Sequence, residues 1–549
     1  MSSVSFRFAL STRDSGSGPT PPSFSQPTPP ILKGIPVTDK TTSDAVAPSD
    51  LASGPTDRTS ADQAQTDAAR ASRAGRERSV LWVLLVATFV VILNETIMSV
   101  AIKTLQVDLG IDARAAQWLS TSFMLTMAII IPVTGFLLQR FTTRSMFITA
   151  MTLFSLGTLL AALAPGFEVL LAARIIQASG TAIMMPLLMT TIMTVVPSSE
   201  RGKTMGNVSI VISVAPAIGP IISGVVLSLL SWRWMFWIVL PIALAMLILG
   251  YRRLQNVGET RKAPIDSLSV VLSAFGFGGL VYGLSRIGET PAAGEDAAMA
   301  AMPMWISLGV GAVSLAAFII RQLLLQRRDR ALLDLRVFRS STFTFSVIMM
   351  AVSMMALFGT IIVLPIYMQQ VLGLPTWQIG LILLPGGLVM GLLAPLVGRL
   401  YDRVGPRVLL VPGAIVVSGV LWALTTVSED TSPLFMLAAH VTLSVGLAFL
   451  FTPLFTAGLG SVQPHLYSHG SAVIGTVQQV AGATGTALFI TLMATQTATL
   501  TAAGDAPNTA AAGGVQAAFL AGAIISMLGI VAALFIRKPV DAPEGVIAH

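Results

Sequence analysis

The sequence has no cysteine, only four histidines and few charged side chains. Without cysteine there is no disulfide framework and no thiol chemistry, and cysteine usage says nothing of the redox compartment. Charged residues make up 11% of 549, less than half of the roughly 25% of an ordinary soluble domain. So few ions cannot cover a soluble surface of this size, which excludes soluble enzymes, fibrous proteins and secreted disulfide scaffolds. A Gly-x-x-x-x-Gly-Lys-Ser/Thr phosphate loop is also missing, and nothing in the chain suggests ATP hydrolysis. His465 and His469 have a metal-compatible spacing but no further ligand nearby, so no metal site and no cofactor is expected.

What the chain does have is length of apolar run. A helix needs about 20 apolar residues to cross the hydrocarbon. That window fits fourteen stretches: 80–102, 116–138, 146–164, 169–195, 205–230, 234–250, 268–284, 304–325, 343–367, 379–397, 408–427, 434–456, 470–493 and 515–536. An all-α polytopic membrane protein is predicted. The net charge of +7 does not indicate nucleic acid, because the basic residues punctuate the apolar runs instead of forming a patch. They gather on alternate loops, leaving only Lys103, Arg114, Arg233 and Arg286 on the opposite side. The positive-inside rule then puts both termini in the cytoplasm. Residues 1–79 are polar and carry Pro19, Pro21, Pro22, Pro27, Pro29 and Pro30. They are expected to be a disordered cytoplasmic tail, since they cannot bury enough surface to offset their ordering entropy.

The loops after the second and tenth spans repeat each other. Gly135, Leu137, Arg140 and Arg144 recur 263 residues on as Gly398, Leu400, Arg403 and Arg407. Duplicated halves are a common construction of secondary transporters. The offset exceeds a six-helix half by two helices, which predicts a six, two, six plan. Residues 80–250 form the first six-helix bundle, 266–325 two inserted helices and 342–536 the second bundle, followed by a tail at 537–549. The glycines allow close helix approach. The arginines stand at the membrane face, where they can pair with acids or cap helix C-termini.

Four motifs give the chain a resemblance to the major facilitator superfamily, specifically its fourteen-helix drug:proton antiporter branch. One is the loop Gly-x-Leu-x-Asp-Arg-x-Gly-x-Arg, nearly complete at 398–407 with Asp402 and Gly405, and partial at 135–144. The run from Leu171 through Arg174 and Gln177 to Gly180 resembles the fourth-helix motif built on an intramembrane arginine. Ala215 to Gly224, with Gly219-Pro220, is similar to the fifth-helix antiporter motif. Asn94-Glu95-Thr96-Ile97-Met98 through Ile102 resembles the first-helix motif. There are three departures. Gln139 replaces the acid of the first loop copy, the first-helix carboxylate stands at Glu95 with Asn94 in the family's acid position, and Lys103 replaces a proline.

The resemblance implies a cell-membrane exporter (inner or plasma membrane) that exchanges protons for small apolar or amphipathic molecules by alternating access. Its energy source is a proton gradient, its partners are substrate, protons and membrane lipid, and a monomer is expected. Intramembrane charges are functional candidates by default. Counting roughly 1.5 Å per residue, Glu95 and Arg174 lie at matching depth in the outer half, and a pair is expected, direct or through water, as the proton-coupling site. Gly219, Pro220 and Gly224 form the antiporter motif, and Gly135, Arg140, Arg144, Gly398, Asp402, Arg403 and Arg407 the cytoplasmic gate loops. Substrate-cavity candidates are Asn94, Met98, Gln177, Met185 and Tyr367. The Met185–Met189–Met193 ladder suits either a cavity for varied apolar shapes or plain helix packing. His440, on the twelfth span, reads as a packing residue or a proton relay. Three other readings stay open: an exporter of an endogenous metabolite, amino acid or lipid precursor; a membrane sensor; and, with a poor catalytic inventory against it, an integral-membrane enzyme.

Overall fold

The computed structural model describes residues 55–257, 260, 264–287 and 297–538. The chain divides into two compact units, Met1–Asp67 and Ala68–His549, and of the first only 55–67 is described, all helical. Fourteen helices follow in order: α1 (Pro55–Leu109), α2 (Ala113–Arg140), α3 (Thr143–Ala162), α4 (Phe167–Val195), α5 (Arg201–Leu229), α6 (Arg233–Arg253), α7 (Ser267–Ser285), α8 (Ala297–Leu325), α9 (Ser341–Gln370), α10 (Thr376–Val404), α11 (Arg407–Ala423), α12 (Pro433–Gly460), α13 (Tyr467–Ala503) and α14 (Pro507–Phe535). Short 3-10 turns join some of them, and no strand occurs among the described residues. Each helix contains a stretch long and apolar enough to cross a membrane. This is an all-helical, multi-pass membrane protein.

One expectation fails at the start of the chain. The segment 55–79, expected to be disordered, is the beginning of α1. It carries Ala61, Ala64, Ala68, Ala69, Ala71 and Ala74 with Pro55 at its first turn, and alanine-rich sequence favours helix even where it buries nothing. Residues 1–54 and 539–549, including most of both expected tails, lie outside the described residues. At its far end α1 continues past Ile102 to Leu109 and stops at Gly110, whose φ of +61° ends the helix in the left-handed region.

The packing partners recur eight helices on. α3 packs on α4 and α6, as α11 does on α12 and α14; α2 packs on α4, as α10 does on α12. Four contacts join the repeats, α2 with α13 and α5 with α10, and less extensively α4 with α13 and α5 with α12, and the same shift exchanges each pair. α7 and α8 pack on each other, and α7 also lies against both α2 and α13. A small cluster of Ala128, Val281 and Ala483 fills that three-way contact. α7 is fastened to α8 by Arg321, whose guanidinium donates to both oxygens of Asp266, 2.6 Å each. Gln322 extends the clasp: it donates to Ser269 Oγ and accepts from the Leu332 and Leu333 amides, which fixes the start of the α8–α9 connection.

Candidate functional site

Two regions gather the sequence candidates: a polar network inside the N-terminal half, and the seams at the face carrying the arginine-rich loops, here the basic face.

Arg174 is 1% exposed, so its charge has been taken fully out of solvent, a cost that holds only where polar partners replace water. Nη1 donates to Gln177 Oε1 at 2.6 Å, one turn along α4. Gln177 passes its own Nε2 proton to Thr158 Oγ1 (2.8 Å), which in turn donates to the Phe154 carbonyl. The guanidinium also stacks 4.1 Å from the centre of the Phe123 ring on α2, a favourable arrangement for a desolvated cation. Its Nε has no hydrogen-bond partner. Arg174 therefore ties α2, α3 and α4 together.

Glu95, half-buried on α1, is close enough for its charge and that of Arg174 to act on each other. Among the described residues, however, no ion pair joins them. The arginine's hydrogen bond goes instead to Gln177 and its ring contact to Phe123, and α1 runs on past Lys103 to Leu109. Beside Glu95, Asn94 is buried with its side-chain oxygen unpartnered, and Met98 is buried. Gln177 proves to be a structural partner of Arg174. Tyr367 is buried and donates its hydroxyl to the Ser428 carbonyl at 2.5 Å, a bond within the second half.

The fifth-helix motif reaches the same place. Gly219 packs so closely on Thr96 that a Cβ there would collide with the threonine side chain. Thr96, next to Glu95, also lies 3.4 Å from the Ala215 carbonyl. The glycine thus sets the α1–α5 crossing beside the carboxylate. Pro220 and Gly224 are exposed, and Gly224 has open space around it. Met184, Met189, Met193, Met349, Met350 and Met354 sit in the packed core, while Met185 is partly buried against it. His440 packs between α10 and α12, where Gly386 leaves room for its ring.

At the basic face the loop motifs lie in the seams. Asp402, in the last turn of α10, accepts from the Gly202 and Lys203 amides at 2.8 and 2.9 Å. It caps the N-terminus of α5, where backbone donors and the helix dipole both favour an anion. Gly398 and Gly202 bring the two backbones into direct contact. In the other seam Gln139 donates to the His465 carbonyl at 2.7 Å, and Gly135 lies against Ala472, His469 and the Ser468 carbonyl. Farther in, Thr190 pairs with Ser471 (2.9 Å) and Ser209 with Thr452 (2.7 Å). Deepest is the 3.8 Å contact of Gln479 with the Met127 sulfur.

The arginines do not act alike. Arg144 donates to the Tyr251 carbonyl (2.7 Å) in the last turn of α6 and stacks on that ring; Arg140 lies 5.8 Å from the Phe141 ring. Arg403 and Arg407 are exposed. Sequence reasoning missed Arg201, which donates to the Met193 and Val196 carbonyls and so caps α4. It also missed Phe123 and Thr158. Only the one-turn spacing of Arg174 and Gln177 was there to be read.

At the opposite face the hydrogen bonds seen among the described residues run within each half. Trp232 donates to Asp108 (3.0 Å) and Arg233 to the Ala164 carbonyl (2.9 Å) in the first half; Gln516 donates to the Val427 carbonyl (2.6 Å) and Thr509 to Glu429 (3.0 Å) in the second.

Two repeated sets of membrane helices that meet across seams, with buried polar groups between them, are the build of a secondary transporter. Residues 84–486 match the sequence profile of the Major Facilitator Superfamily, and the chain belongs to that family. It is 41% identical over 459 residues to the lincomycin resistance protein LmrB of Listeria monocytogenes, covering 83% of this chain and 95% of that one. It is 30% identical over 412 residues to the multidrug export protein EmrB of Haemophilus influenzae, covering 74% and 78%. These relatives agree with the drug:proton antiporter branch. The fold is similar to that of the human organic anion transporter MFSD10, with a TM-score of 0.59 at 14% identity over 83% of this chain and 99% of that one. The proton:xylose symporter XylE gives 0.56 at 16% identity, over 84% and 96%.

Proposed function

We propose that the protein is a proton-coupled exporter of small apolar or amphipathic compounds in the cell membrane, working by alternating access between two six-helix halves. One observation carries the reading. The halves are hydrogen-bonded to each other around the basic face, through Asp402, Gln139, Thr190 and Ser209, while at the opposite face the bonds among the described residues close within a half. A bundle latched on one side and held half by half on the other is one of the two end states that alternating access needs. With the arginine-rich loops in the cytoplasm, it is the state closed to the cytoplasm.

Proton exchange is assigned to Glu95. A carboxylate near a buried guanidinium, with no direct bond between them, can lose or gain its proton without first breaking an ion pair. Gly219 and Thr96 place it at the α1–α5 crossing, so a change of charge there bears on a helix that also forms a seam. The names of the relatives support a drug-type cargo. The energy comes from the proton gradient, with no cofactor. The test is transport in inside-out vesicles bearing an imposed proton gradient, using a cationic dye and lincomycin as probes. Glu95→Gln should cut gradient-driven uptake at least tenfold while leaving dye binding within about threefold. Normal driven transport by Glu95→Gln, with loss of coupling in Asn94→Ala, would move the site to Asn94.

A further inference from the structure

The α2–α13 seam holds a group that the transport reading leaves unused. His469 is 3% exposed and its Nδ1 has no hydrogen-bond partner. The hydroxyl of its neighbour Ser468 is likewise buried and unpartnered. Buried polar atoms are nearly always satisfied, by protein or by water. Beside His469 lies a small space that leaves about 20 Å³ for the centre of a water molecule, enough for one.

The groups around it come from three elements. α2 supplies Phe136 and the neutral Gln139; the 329–339 connection supplies Asp329, Asp334 and Arg336; the α12–α13 turn supplies His465 and Leu466. Asp334 is 4% exposed and clamped by Arg336, which donates to both its oxygens and to Asp329. Asp334, Arg336 and His465 all act electrostatically on His469. From α5, Arg201 stands 5.6 Å from the ring of Tyr467, two residues away; from α4, Thr190 bonds Ser471. Gly135 of the first loop motif presses directly on the imidazole, where a Cβ would lie 3.2 Å from Nδ1. The site is therefore closed only while the halves touch.

We propose that this pocket is a second proton-binding site, distinct from Glu95, in which a trapped water links His469 to Asp334 while the basic face is shut, and that protonation of His469 holds this face open. In the shut form the imidazole is buried away from the water that would solvate its charge, and both acids of the pocket, Asp334 and Asp329, are already bonded to Arg336. Once α2 withdraws, the imidazolium is met by water instead. A proton taken up only by the parted form changes the ratio of open to shut by up to about tenfold per pH unit, and imidazole is the side chain that titrates in this range. Acid on the basic side then favours the state open to that side. The proposal shares with the transport reading only the separation of the halves.

The absence of cysteine makes the measurement direct. Spin labels at Ser198→Cys and Gln463→Cys, both exposed and on opposite sides of the seam, report the gap by pulsed electron resonance in the full chain in lipid. Lowering pH from 7.5 to 5.5 should raise the open-to-shut ratio about tenfold or more. His469→Gln should reduce that response to under about twofold, and His465→Gln should keep it. Asp334→Asn leaves Arg336 paired with Asp329 alone and removes the buried negative charge nearest the imidazole, so it should enlarge the response; this variant tests the idea if His469→Gln does not fold. Glu95→Gln should leave the response intact, which separates failure of this proposal from failure of the coupling assignment. An unchanged response in His469→Gln, or one that Asp334→Asn does not alter, overturns it.

Discussion

The α5–α10 and α2–α13 seams are built from two copies of one loop, yet they close by different chemistry. In the first, a carboxylate receives two backbone amides at a helix N-terminus, and glycines on both sides let main chain touch main chain. In the second, an amide offers one hydrogen bond to a carbonyl, and a single glycine rests on two side chains and one carbonyl at a looser distance. The whole difference starts from Asp402 and Gln139 at equivalent positions. Hydrogen bonds to an ionised group contribute about 1.5–3 kcal/mol each, neutral ones about 1. The two seams therefore hold the same face shut unequally, and the weaker one contains the titratable pocket.

The contrast can be broken most severely at the glycines. Gly202→Ala would drive a methyl into Asp402 and the Gly398 carbonyl, so the shut state should be nearly lost. Spin labels across the seam would read a change of at least a hundredfold, with export falling to background. Gly135→Ala meets the Ala472 and His469 side chains and the Ser468 carbonyl at 3.1–3.2 Å, contacts relieved by a shift of tenths of an ångström; a change of about threefold is expected. Comparable effects of the two would show the seams to be alike.

Next come the polar latches. Asp402→Ala removes two charge-assisted bonds and should cost the shut state about 3 kcal/mol, near a hundredfold. Gln139→Ala removes one neutral bond, about 1 kcal/mol, or roughly fivefold. The same distance measurement ranks them, and a larger effect from Gln139→Ala would reverse the comparison.

The smallest effect belongs away from both seams. Hydrogen bonds from Arg321 hold the Asp266 carboxyl at about 2, below its ordinary 3.8, against the opposing effect of burial and with further help from Ser269. A depressed acid contributes stability that is full at neutral pH and is lost as pH falls through roughly 4 to 2. The pair is partly exposed, so Asp266→Asn should cost only about 1 kcal/mol in thermal unfolding at pH 7, the difference from wild type vanishing near pH 2. The distances across the seams should not move.

Much of this was legible in the sequence. The fourteen spans were, because apolar length is a bulk property that survives errors in boundaries. The repeated loop was, and so was the exchange of acid for amide at Gln139. The partners of Arg174 were not. Glu95 was the obvious counter-charge by depth, but Gln177 lies one turn away on the same helix and Phe123 on a neighbour. Which of three candidates an arginine touches depends on helix rotation, and an apolar sequence with little periodicity does not encode it visibly. Asp334 and His469 were hidden for another reason: one lies in the α8–α9 connection and the other in the first turn of α13, and they line one pocket where the connection is pinned by Gln322.

The placement of α7 has a mechanical consequence. It touches α2 through the stacked rings of Trp118 and Tyr282 and through Gly278, which accepts Ile129 and Leu125. It touches α13 through an aliphatic contact, Ala483 and Val480 beside Val281 and Leu284. Interlocking rings resist sliding, whereas a smaller aliphatic contact offers less to catch. When α2 and α13 separate, the inserted hairpin must travel with one and slip past the other. Its fittings make it cargo of the first half and a bearing surface for the second, so the two extra helices can ride through the cycle without being torn from either.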